Sequence, residues 1–571
     1  MNVACTTCAP SNLTAWHELH WKAMTKRVKK LQLRIAKAVK ADRWNKVKAL
    51  QRLLTSSFSA KALAVRRVTE NRGKKTAGVD KETWSTPQQK AQAITRLNKR
   101  GYKPQPLRRV YIDKDYDKQE RRPLSIPCML DRALQSLHLL ALVPIAETTA
   151  DKHSYGFRPE RNTADAMEQC FNVLCQSSSA KYVLEGDIRK CFDTISHPWL
   201  EANIPMDKRI LKQWLKAGFM AQGAWQPTEA GVPQGSPISP VMTNLTLDGL
   251  EALLKQHFHP TVIKGKWLNP QVNLIKFADD FIVTARSIAI LNEVKLVIEA
   301  FLAERGLALS TSKTRISHSE DGFDFLGQNV RKYQGKLIIQ PAKKNVKAFL
   351  AKVRQLIKRH QQSSQADLIA CLNPVIKGWA NFHRHSCASD IFSKVDHLIW
   401  MMLWRWTKRR HPTKSAAWRK QRYFLESGSN AWNFACHVKD NTTSSGSRLS
   451  ELRHASATKI RRHIKIRADA NPFDPDWESY LEQRLQHKML HAFQGRKQLR
   501  AIWQRQEGKC LTCSQNISPA SGWHLHHLVP KAQGGSHASA NLVLLHPTCH
   551  QQIHHNLDLA VKLLALTHEG S

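Results

Sequence analysis

Two adjacent aspartates lie between two apolar runs in the segment Lys276–Phe281 (KFADDF). The flanking runs, 272–275 and 282–284, are rich in β-branched residues, and this pattern predicts a β-hairpin with Asp279 and Asp280 at its tip. Carboxylates held side by side repel each other unless a cation neutralises them. Carboxylate oxygens suit Mg²⁺, and two such ions roughly 3.5–4 Å apart hold the attacking and leaving oxygens of a phosphoryl transfer. An ordinary solvated turn has the same residues, so the surrounding segments decide between these interpretations.

A third carboxylate is available upstream of this pair. Asp187 follows the strand-like run Tyr182–Leu184, which predicts that it lies at a strand end. The segment Gly231–Pro240 (GVPQGSPISP) then predicts a loop that leads into a helix. Asp193, close to Asp187 in sequence, is expected to be a helix cap or a solvated side chain and is not assigned to the site.

In this order the segments resemble the conserved blocks of reverse transcriptases, and specifically of those encoded by group II introns. The same series contains RRPLSIP at 121–127, YGFRP at 155–159, GLALS at 306–310 with Lys313 and Thr314, and FDFLG at 323–327. One departure is visible, because the family usually has tyrosine where this chain has Phe277. The substitution removes a phenol but keeps the ring, so activity is expected to persist.

The resemblance implies a polymerase site with two groups of residues. Asp187, Asp279 and Asp280 are implied as ligands of two Mg²⁺ ions, and Lys114, Arg122, Phe192 and Gln234 as contacts to the incoming deoxynucleotide. Two of these are cations that neutralise charge on the triphosphate. Phe192 is implied as the ring that occupies the space of a ribose 2′-hydroxyl, and Gly235 lets the backbone approach closely. Without the resemblance, Phe192 is simply a core residue and the cations are ordinary solvated side chains.

The C-terminal residues 496–571 contain a second set of metal-binding side chains. Cys510 and Cys513 form a C-x-x-C pair. Several histidines and one more cysteine follow between residues 524 and 555. Thiols and imidazoles at this density predict metal binding rather than an apolar core. Their order resembles an HNH nuclease that carries a zinc ribbon.

The resemblance implies a division of these residues into two metal sites. Structural Zn²⁺ is expected at Cys510, Cys513, His546 and Cys549, and the catalytic ion at His526, His550 and His554. Most relatives have cysteine at the third zinc position, so this chain has a Cys₃His set, which is still a standard one. His527 is implied as the general base and Asn541 as the residue that orients it. His524 and His555 are expected to be solvated.

Composition indicates a nucleic-acid partner. The 571 residues include 88 Lys and Arg against 45 Asp and Glu, a formal net charge of +43. Such self-repulsion weakens a fold unless a polyanion shares the charge, and the 17 Trp strengthen the case for a nucleic acid. Attraction to a membrane is the alternative, but no apolar run is expected to approach the ~20 residues of a spanning helix.

The other expectations from composition concern the compartment. The first residues lack the order of a secretory signal, so a cytoplasmic location, bacterial or organellar, is expected. The 12 Cys are scattered, which favours a reducing compartment over a disulfide framework. Cys5 and Cys8 have no second pair nearby and are read as part of a mobile tail.

The length predicts several domains, because single cores rarely grow past roughly 250–300 residues. The expected fold class is α+β and multidomain: a right-hand polymerase with an antiparallel sheet, a helical thumb or maturase domain, and a small ββα-metal zinc-ribbon nuclease. The predicted units are a basic helical extension at 1–80, fingers and palm at 81–335, thumb and maturase at 336–440, a DNA-binding region and linker at 441–495, and the nuclease at 496–571.

The sequence therefore predicts a multifunctional group II intron-encoded protein with reverse transcriptase, maturase and HNH endonuclease activities. Its expected partners are the group II intron RNA, target DNA and deoxynucleotides, with Mg²⁺ and Zn²⁺ as cofactors and no membrane. An RNA-binding splicing maturase with relic enzymatic domains is the alternative. The presence of Asp279, Asp280 and His527 argues against that alternative.

Overall fold

The structure is a computed structural model, and it describes residues 16–114, 117–263, 266–427, 430–439, 447–493, 496–529, 535–536 and 538–555. Cys5 and Cys8 lie outside these residues. The side chains of Lys114 and His555 also lie outside the described part of the structure.

The chain begins with a basic helical unit. Its helices are α1 (Trp21–Lys40), α2 (Trp44–Ser56), α3 (Phe58–Glu70) and α4 (Pro87–Arg96). Ile35, Leu54 and Val65 are fully buried on the apolar faces of the first three, as expected for amphipathic helices that share a core. A capping box between Thr86 and Gln89 starts α4. Because α4 packs against α3, this unit continues beyond the predicted boundary at residue 80.

The next region contains a long apolar helix. In chain order the elements are β1 (Leu107–Lys114), β2 (Asp117–Ile126), α5 (Met129–Thr149) and α6 (Thr163–Leu174). By length and composition α5 could cross a membrane, with 21 residues and a mean hydropathy of 1.2. The expectation that no apolar run approaches this length was therefore wrong. In the fold, 83% of its apolar window is buried, so α5 has the position of a core helix.

A four-stranded antiparallel sheet carries the predicted carboxylates. The elements in this part of the chain are β3 (Tyr182–Asp187), α7 (Cys191–Thr194), α8 (His197–Asn203), α9 (Lys208–Leu215), β4 (Phe219–Ala221), β5 (Ala224–Gln226), α10 (Ser239–Leu247), α11 (Leu250–His257), β6 (Thr261–Ile263), β7 (Lys266–Leu268), β8 (Asn273–Phe277), β9 (Asp280–Ala285), α12 (Ile288–Ala303) and β10 (Arg315–His318). The strand order of the sheet is β10-β3-β9-β8. β4 and β5 instead extend the β2-β1 pair into a second sheet.

The carboxylate-bearing sheet is buried on both faces. Successive residues of β9 point into different cores. Val283 packs in the large core with the N-terminal helices, and Ile282 packs in a second core with α6. A strand with apolar side chains on both faces reads as a continuous apolar run, which is the pattern at 281–283. The sheet therefore holds its strand ends rigidly between two cores.

A helical region with its own core follows. Its elements are β11 (Phe323–Phe325), β12 (Gln328–Tyr333), β13 (Lys336–Pro341), α13 (Lys343–Arg359), α14 (Gln365–His383), α15 (Ser389–Arg410), α16 (Ala416–Tyr423), β14 (Phe424–Ser427), β15 (Asn430–Lys439) and β16 (Ser447–Glu451). Two predicted boundaries fall inside sheets here. Residue 335 lies in the hairpin between β12 and β13, and residue 440 lies between the paired strands β15 and β16. A polar run marks a loop, but the loop can connect strands of one sheet.

The C-terminal elements are α17 (Glu478–Ala492), α18 (Lys497–Arg505), β17 (His524–His527), β18 (Leu542–Leu545) and α19 (Pro547–His555). The basic segment before them lies against α6, where the buried Asp165 carboxylate accepts a hydrogen bond from His463 of that segment (2.8 Å) and another from Arg484 of α17 (2.7 Å). Part of the predicted DNA-binding charge is therefore paired within the protein.

Candidate active sites for polymerisation and strand cleavage

The predicted hairpin is formed by β8 and β9. Phe277 pairs with Asp280, so the turn consists of Ala278 and Asp279, and Asp280 is already the first residue of β9. Ala278 has a φ of +58°, and Asp279 lies outside the left-handed region. Positive φ at the first turn position alone is the arrangement of a type II′ turn, where glycine is usual. Ala278 adopts this left-handed conformation only with strain, and the turn that it forms places Asp279 beside the start of β9.

The third aspartate lies directly beside this hairpin. β3 pairs with β9 in a register that puts Asp187 opposite Asp280. Lys313 Nζ lies 3.1 Å from Asp187 Oδ2 and supplies a counter-charge. In two C-terminal clusters of Cys and His residues, the ligand atoms within each cluster lie within 4.8 Å of one another. Among the described residues, the carboxylate oxygens of the three aspartates do not form a group as close as that. The sequence had indicated Lys313 only as part of a conserved block.

The electrostatics of the site favour a cation. Burial raises the pKa of Asp279, and the charge of Asp187 adds to this, while Arg122 and Lys313 oppose it. Asp280 is exposed, but the surrounding protein removes much of its hydration. This desolvation, followed by the charges of Asp279 and Asp187, raises the pKa of Asp280 to about 6. Asp279 and Asp280, whose pKa values are raised, and the neighbouring Asp187 together form a set of hard oxygen ligands.

Lys276, a fully buried lysine of β8, anchors the hairpin to the rest of the fold. Its Nζ lies 3.0 Å from both Asp151 Oδ2 and Asp248 Oδ1, and its carbonyl oxygen accepts a hydrogen bond from Tyr155 N at 2.8 Å. The neighbouring Gly156 leaves no room for a side chain, because a Cβ there would lie 2.3 Å from the Ala278 nitrogen. Sequence reasoning did not assign these residues. A lysine within an apolar strand was the available signal, since a buried lysine requires anionic partners.

The residues predicted to contact the nucleotide lie on β1, on β2, on α7 and in the loop before α10. Arg122 is exposed on β2, and its charge acts on Asp279. Phe192 is partly buried and meets the ring of Phe157 edge to face, with 6.3 Å between centroids. The Gln234 carbonyl oxygen accepts a hydrogen bond from Ser125 N at 2.7 Å, which ties its loop to β2. Gly235 has a φ of +106°, a left-handed conformation that favours glycine. Lys114 is the last residue of β1, and its side chain lies outside the described part of the structure.

The four residues Cys510, Cys513, His546 and Cys549 form a buried cluster. Their ligand atoms lie within 4.8 Å of one another, and Cys513 Sγ is 3.3 Å from His546 Nδ1. The Cys510–Cys513 turn is closed by a hydrogen bond of 2.7 Å from Ser514 N to the Cys510 carbonyl oxygen. Hydrogen bonds from Cys513 and Cys549 lower the pKa of Cys510 and favour its thiolate. This cluster can hold a metal ion.

A second cluster contains His526, His550 and His554, also with ligand atoms within 4.8 Å of one another. One histidine comes from β17 and two come from consecutive turns of α19. Burial and the neighbouring imidazoles lower the pKa of His526 to about 4, so it is neutral near pH 7 and able to bind metal. His524 is exposed, as expected, but its ring lies 5.2 Å from that of His550.

His527 is the last residue of β17 and is half-buried. Successive residues of a strand point to opposite faces, so His527 does not share the face of His526. The Asn541 side chain accepts a hydrogen bond from Val529 N at 2.7 Å and donates to the Ser536 carbonyl oxygen at 2.8 Å. Asn541 therefore fixes the loop that follows β17.

Three aspartates at a hairpin turn and two neighbouring strand ends, together with a β-β-α unit that contains two Cys and His clusters, favour a nucleic-acid enzyme with two separate sites. Family comparisons agree with this class. Residues 112–330 match reverse transcriptase (RNA-dependent DNA polymerase), and residues 16–97 match the N-terminal domain of reverse transcriptase. Residues 346–424 match the group II intron maturase-specific domain, and residues 510–556 match HNH endonuclease.

Individual relatives cover much of the chain. Protein YkfC from Escherichia coli (strain K12) is 33% identical over 262 residues, which are 40% of this chain and 68% of that protein. Group II intron-encoded protein LtrA from Lactococcus lactis subsp. cremoris is 24% identical over 469 residues, 66% of this chain and 77% of that protein. Maturase-like protein 1 from Euglena gracilis is 25% identical over 378 residues, 64% of this chain and 77% of that protein.

The chain belongs to the group II intron-encoded reverse transcriptases that also carry a maturase domain and an HNH endonuclease domain. It is therefore an RNA-directed DNA polymerase and a DNA endonuclease, which confirms the predicted family and enzyme class. The alternative of a maturase with relic enzymatic domains is not favoured. Both enzymatic families are typically metal-dependent, and the domains together imply RNA, DNA and nucleotide substrates.

Proposed function

We propose that Asp187, Asp279 and Asp280 bind the two Mg²⁺ ions of the polymerase. The observation that supports this most strongly is the register that pairs Asp187 with Asp280 beside the Asp279 turn. Mg²⁺ bound there supplies charge neutralisation for the attacking primer hydroxyl and the leaving pyrophosphate. The chain's own residues hold the carboxylates on rigid strand ends, and the buried Lys276 fixes the hairpin from beneath.

The raised pKa of Asp280 predicts that Mg²⁺ and protons compete. Its folded-state value of about 6 lies above the ordinary 3.8, so between these values the native protein binds more protons than the unfolded chain. Stability of the metal-free protein should therefore fall as pH rises through this window. Because the bound form requires carboxylates, half-maximal polymerase activity should need about tenfold more Mg²⁺ for each pH unit below 6. A Mg²⁺ titration on a supplied primer at several pH values measures this, and a requirement independent of pH contradicts it.

We propose that Lys114, Arg122, Phe192 and Gln234 bind the incoming deoxynucleotide. Arg122 supports this assignment because its charge already acts on Asp279. Phe192 lies on α7, the short helix that follows Asp187. This position near Asp187 supports a contact between its ring and the sugar of a nucleotide bound there.

Phe192→Ala should raise ribonucleotide incorporation relative to deoxynucleotide incorporation by roughly 10–200-fold, because it removes a contact of about 1–3 kcal/mol that rejects the 2′-hydroxyl. The measurement is the ratio of kcat/KM for matched ribo- and deoxynucleotides on one primer and template. Phe171→Ala is a suitable control, since that ring packs in the second core at a distance along the chain from Asp187. An unchanged ratio in Phe192→Ala places sugar selection at another residue.

We propose that the Cys510, Cys513, His546 and Cys549 cluster binds structural Zn²⁺ and that the His526, His550 and His554 cluster binds the catalytic ion. The closed four-ligand set with three sulfurs fits zinc, and the three-ligand set leaves a coordination position for substrate. A metal bound at the second cluster supplies Lewis-acid stabilisation of the scissile phosphate. His527 takes the proton from the attacking water, and Asn541 holds the loop beside it.

The whole protein would then act on its own intron RNA and on target DNA. The nuclease nicks one strand, and the polymerase extends the new 3′ end along the intron RNA. The maturase domain binds and stabilises the RNA, which performs the splicing chemistry itself. In this proposal the N-terminal helices precede fingers and palm, and the region from β12 to β16 forms the thumb and maturase domain. The cytoplasmic location expected from the sequence, bacterial or organellar, stays a prediction.

Co-purification with the transcribed intron tests this proposal as a whole. The expected result is sequence-selective retention of intron RNA, faster splicing, and a nicked target strand that carries intron cDNA. Retention of intron RNA and faster splicing without nicking or cDNA synthesis would instead support an RNA-binding splicing maturase with relic enzymatic domains.

A further inference from the structure

Helix α19 has faces with different partners. Residues two positions apart on a helix point about 200° apart, and residues four positions apart point about 40° apart. His550 and His554 therefore share one face, which carries the histidine cluster. Thr548 and Gln552 share a nearly opposite face and are almost fully buried. We call Thr548 and Gln552 the docking face of α19.

The docking face makes hydrogen bonds to the N-terminal helical unit and to the residues just before α1. Thr548 Oγ1 donates a hydrogen bond to Glu70 Oε1 at the end of α3. Gln552 Nε2 donates to the carbonyl oxygens of His17 and Leu19, each at 3.3 Å. A buried amide bonded to backbone carbonyls is directional, because a rotated nuclease would leave those polar groups unpaired. The contact therefore fixes an orientation as well as a position.

A second, independent connection comes from α17. Tyr480 and Leu481 near its start pack in the core that contains β9 and β12, whereas Met489 near its end and Phe493 just beyond it are buried in the nuclease core. This single helix of 15 residues is about 22 Å long and links the two cores without a loop between them. Lys29 of α1 also lies 2.6 Å from Glu478 at its start.

We propose that the N-terminal helical unit is the docking platform of the nuclease, and that Thr548 and Gln552 are positioning residues for target-primed synthesis. The docking face and α17 together set where the nuclease cuts relative to the polymerase site. The inference rests on the proposed sequence of nicking and primer extension. When the nuclease has a fixed orientation, the nicked 3′ end is released close to the polymerase site and can be extended directly. A nuclease on a flexible tether would release the 3′ end in any orientation.

The test uses the full-length protein with its intron RNA and an end-labelled target duplex. The variant Thr548→Val/Gln552→Ala removes the docking hydrogen bonds, and Gln551→Ala is the matched control on the exposed side of α19. We expect the double variant to lose about 10- to 100-fold in cDNA formed per nicked strand and to cut at scattered positions, because small misplacements have effects of this size. Zinc content and extension of a supplied primer should stay at the level of the control.

Glu70 provides the same test from the other side of the contact, outside the nuclease fold. Glu70→Leu removes the acceptor and should reproduce the loss, whereas Glu70→Gln keeps an acceptor oxygen and should restore cDNA per nick. Equal behaviour of the two Glu70 variants, or an unchanged yield and cutting position in the double variant, overturns the inference. Absence of nicking or priming by the unaltered protein contradicts the proposed function itself, so the two failures are distinguishable.

Discussion

Asp279→Asn should lower cDNA synthesis by about 10³-fold or more while leaving RNA binding and assisted splicing nearly intact. Asp279 lies in the turn between β8 and β9, next to the paired Asp187 and Asp280. The amide keeps the size of the side chain but removes one charged ligand from the metal site. Charge stabilisation by a metal contributes several kcal/mol in the transition state, and each 1.36 kcal/mol corresponds to a factor of ten in rate.

A single-turnover extension assay and a splicing assay on the same preparation measure the two activities. Asp193→Asn is the matched control, since it is the same substitution in the short helix that follows Asp187 and is not assigned to the site. Full polymerase activity in Asp279→Asn refutes the assignment. Loss of splicing in the same variant indicates misfolding, because the maturase-specific domain lies on another part of the chain.

Cys513→Ser and His527→Ala should both abolish or strongly reduce nicking, but for different reasons. Cys513 belongs to the closed, buried four-residue cluster, where metal binding free energy is largely folding free energy. Its replacement should release zinc and expose the C-terminal region to protease. His527 lies outside both clusters, so His527→Ala should keep zinc and protease resistance while cleavage falls roughly 10²–10⁴-fold.

The two variants are compared by metal content, limited proteolysis and nicking rate. Target-primed synthesis should fall in both, whereas extension of a supplied primer continues because the aspartate site is separate. Zinc loss in His527→Ala, or normal nicking in Cys513→Ser, means that the structural and catalytic roles are assigned to the wrong residues.

The sequence by itself determined which residues are the candidates for the chemistry. Asp279 and Asp280 between β-branched runs predicted the hairpin, since strand propensity and turn residues are local properties. The C-x-x-C pair and the histidines predicted metal binding, and the resemblance to an HNH nuclease implied their division into two groups. The structure brings the same residues together in two clusters that could hold metal ions. Ligand spacing is encoded along the chain, so such groups are readable before the fold is known.

Only the tertiary structure decided which residues support those sites. Lys276 and Gly156 fix the hairpin through contacts with residues distant in sequence, and no local pattern reveals such partners. The pairing of β15 with β16 across the predicted boundary at residue 440 is likewise a tertiary feature, because a polar run does not show whether the strands on either side pair. The membrane-length helix α5 was missed for a related reason: polar residues interrupt its apolar sequence, and only packing makes it the core. The contact of Thr548 and Gln552 with the N-terminal helices depends on the meeting of opposite ends of the chain, which the fold alone produces.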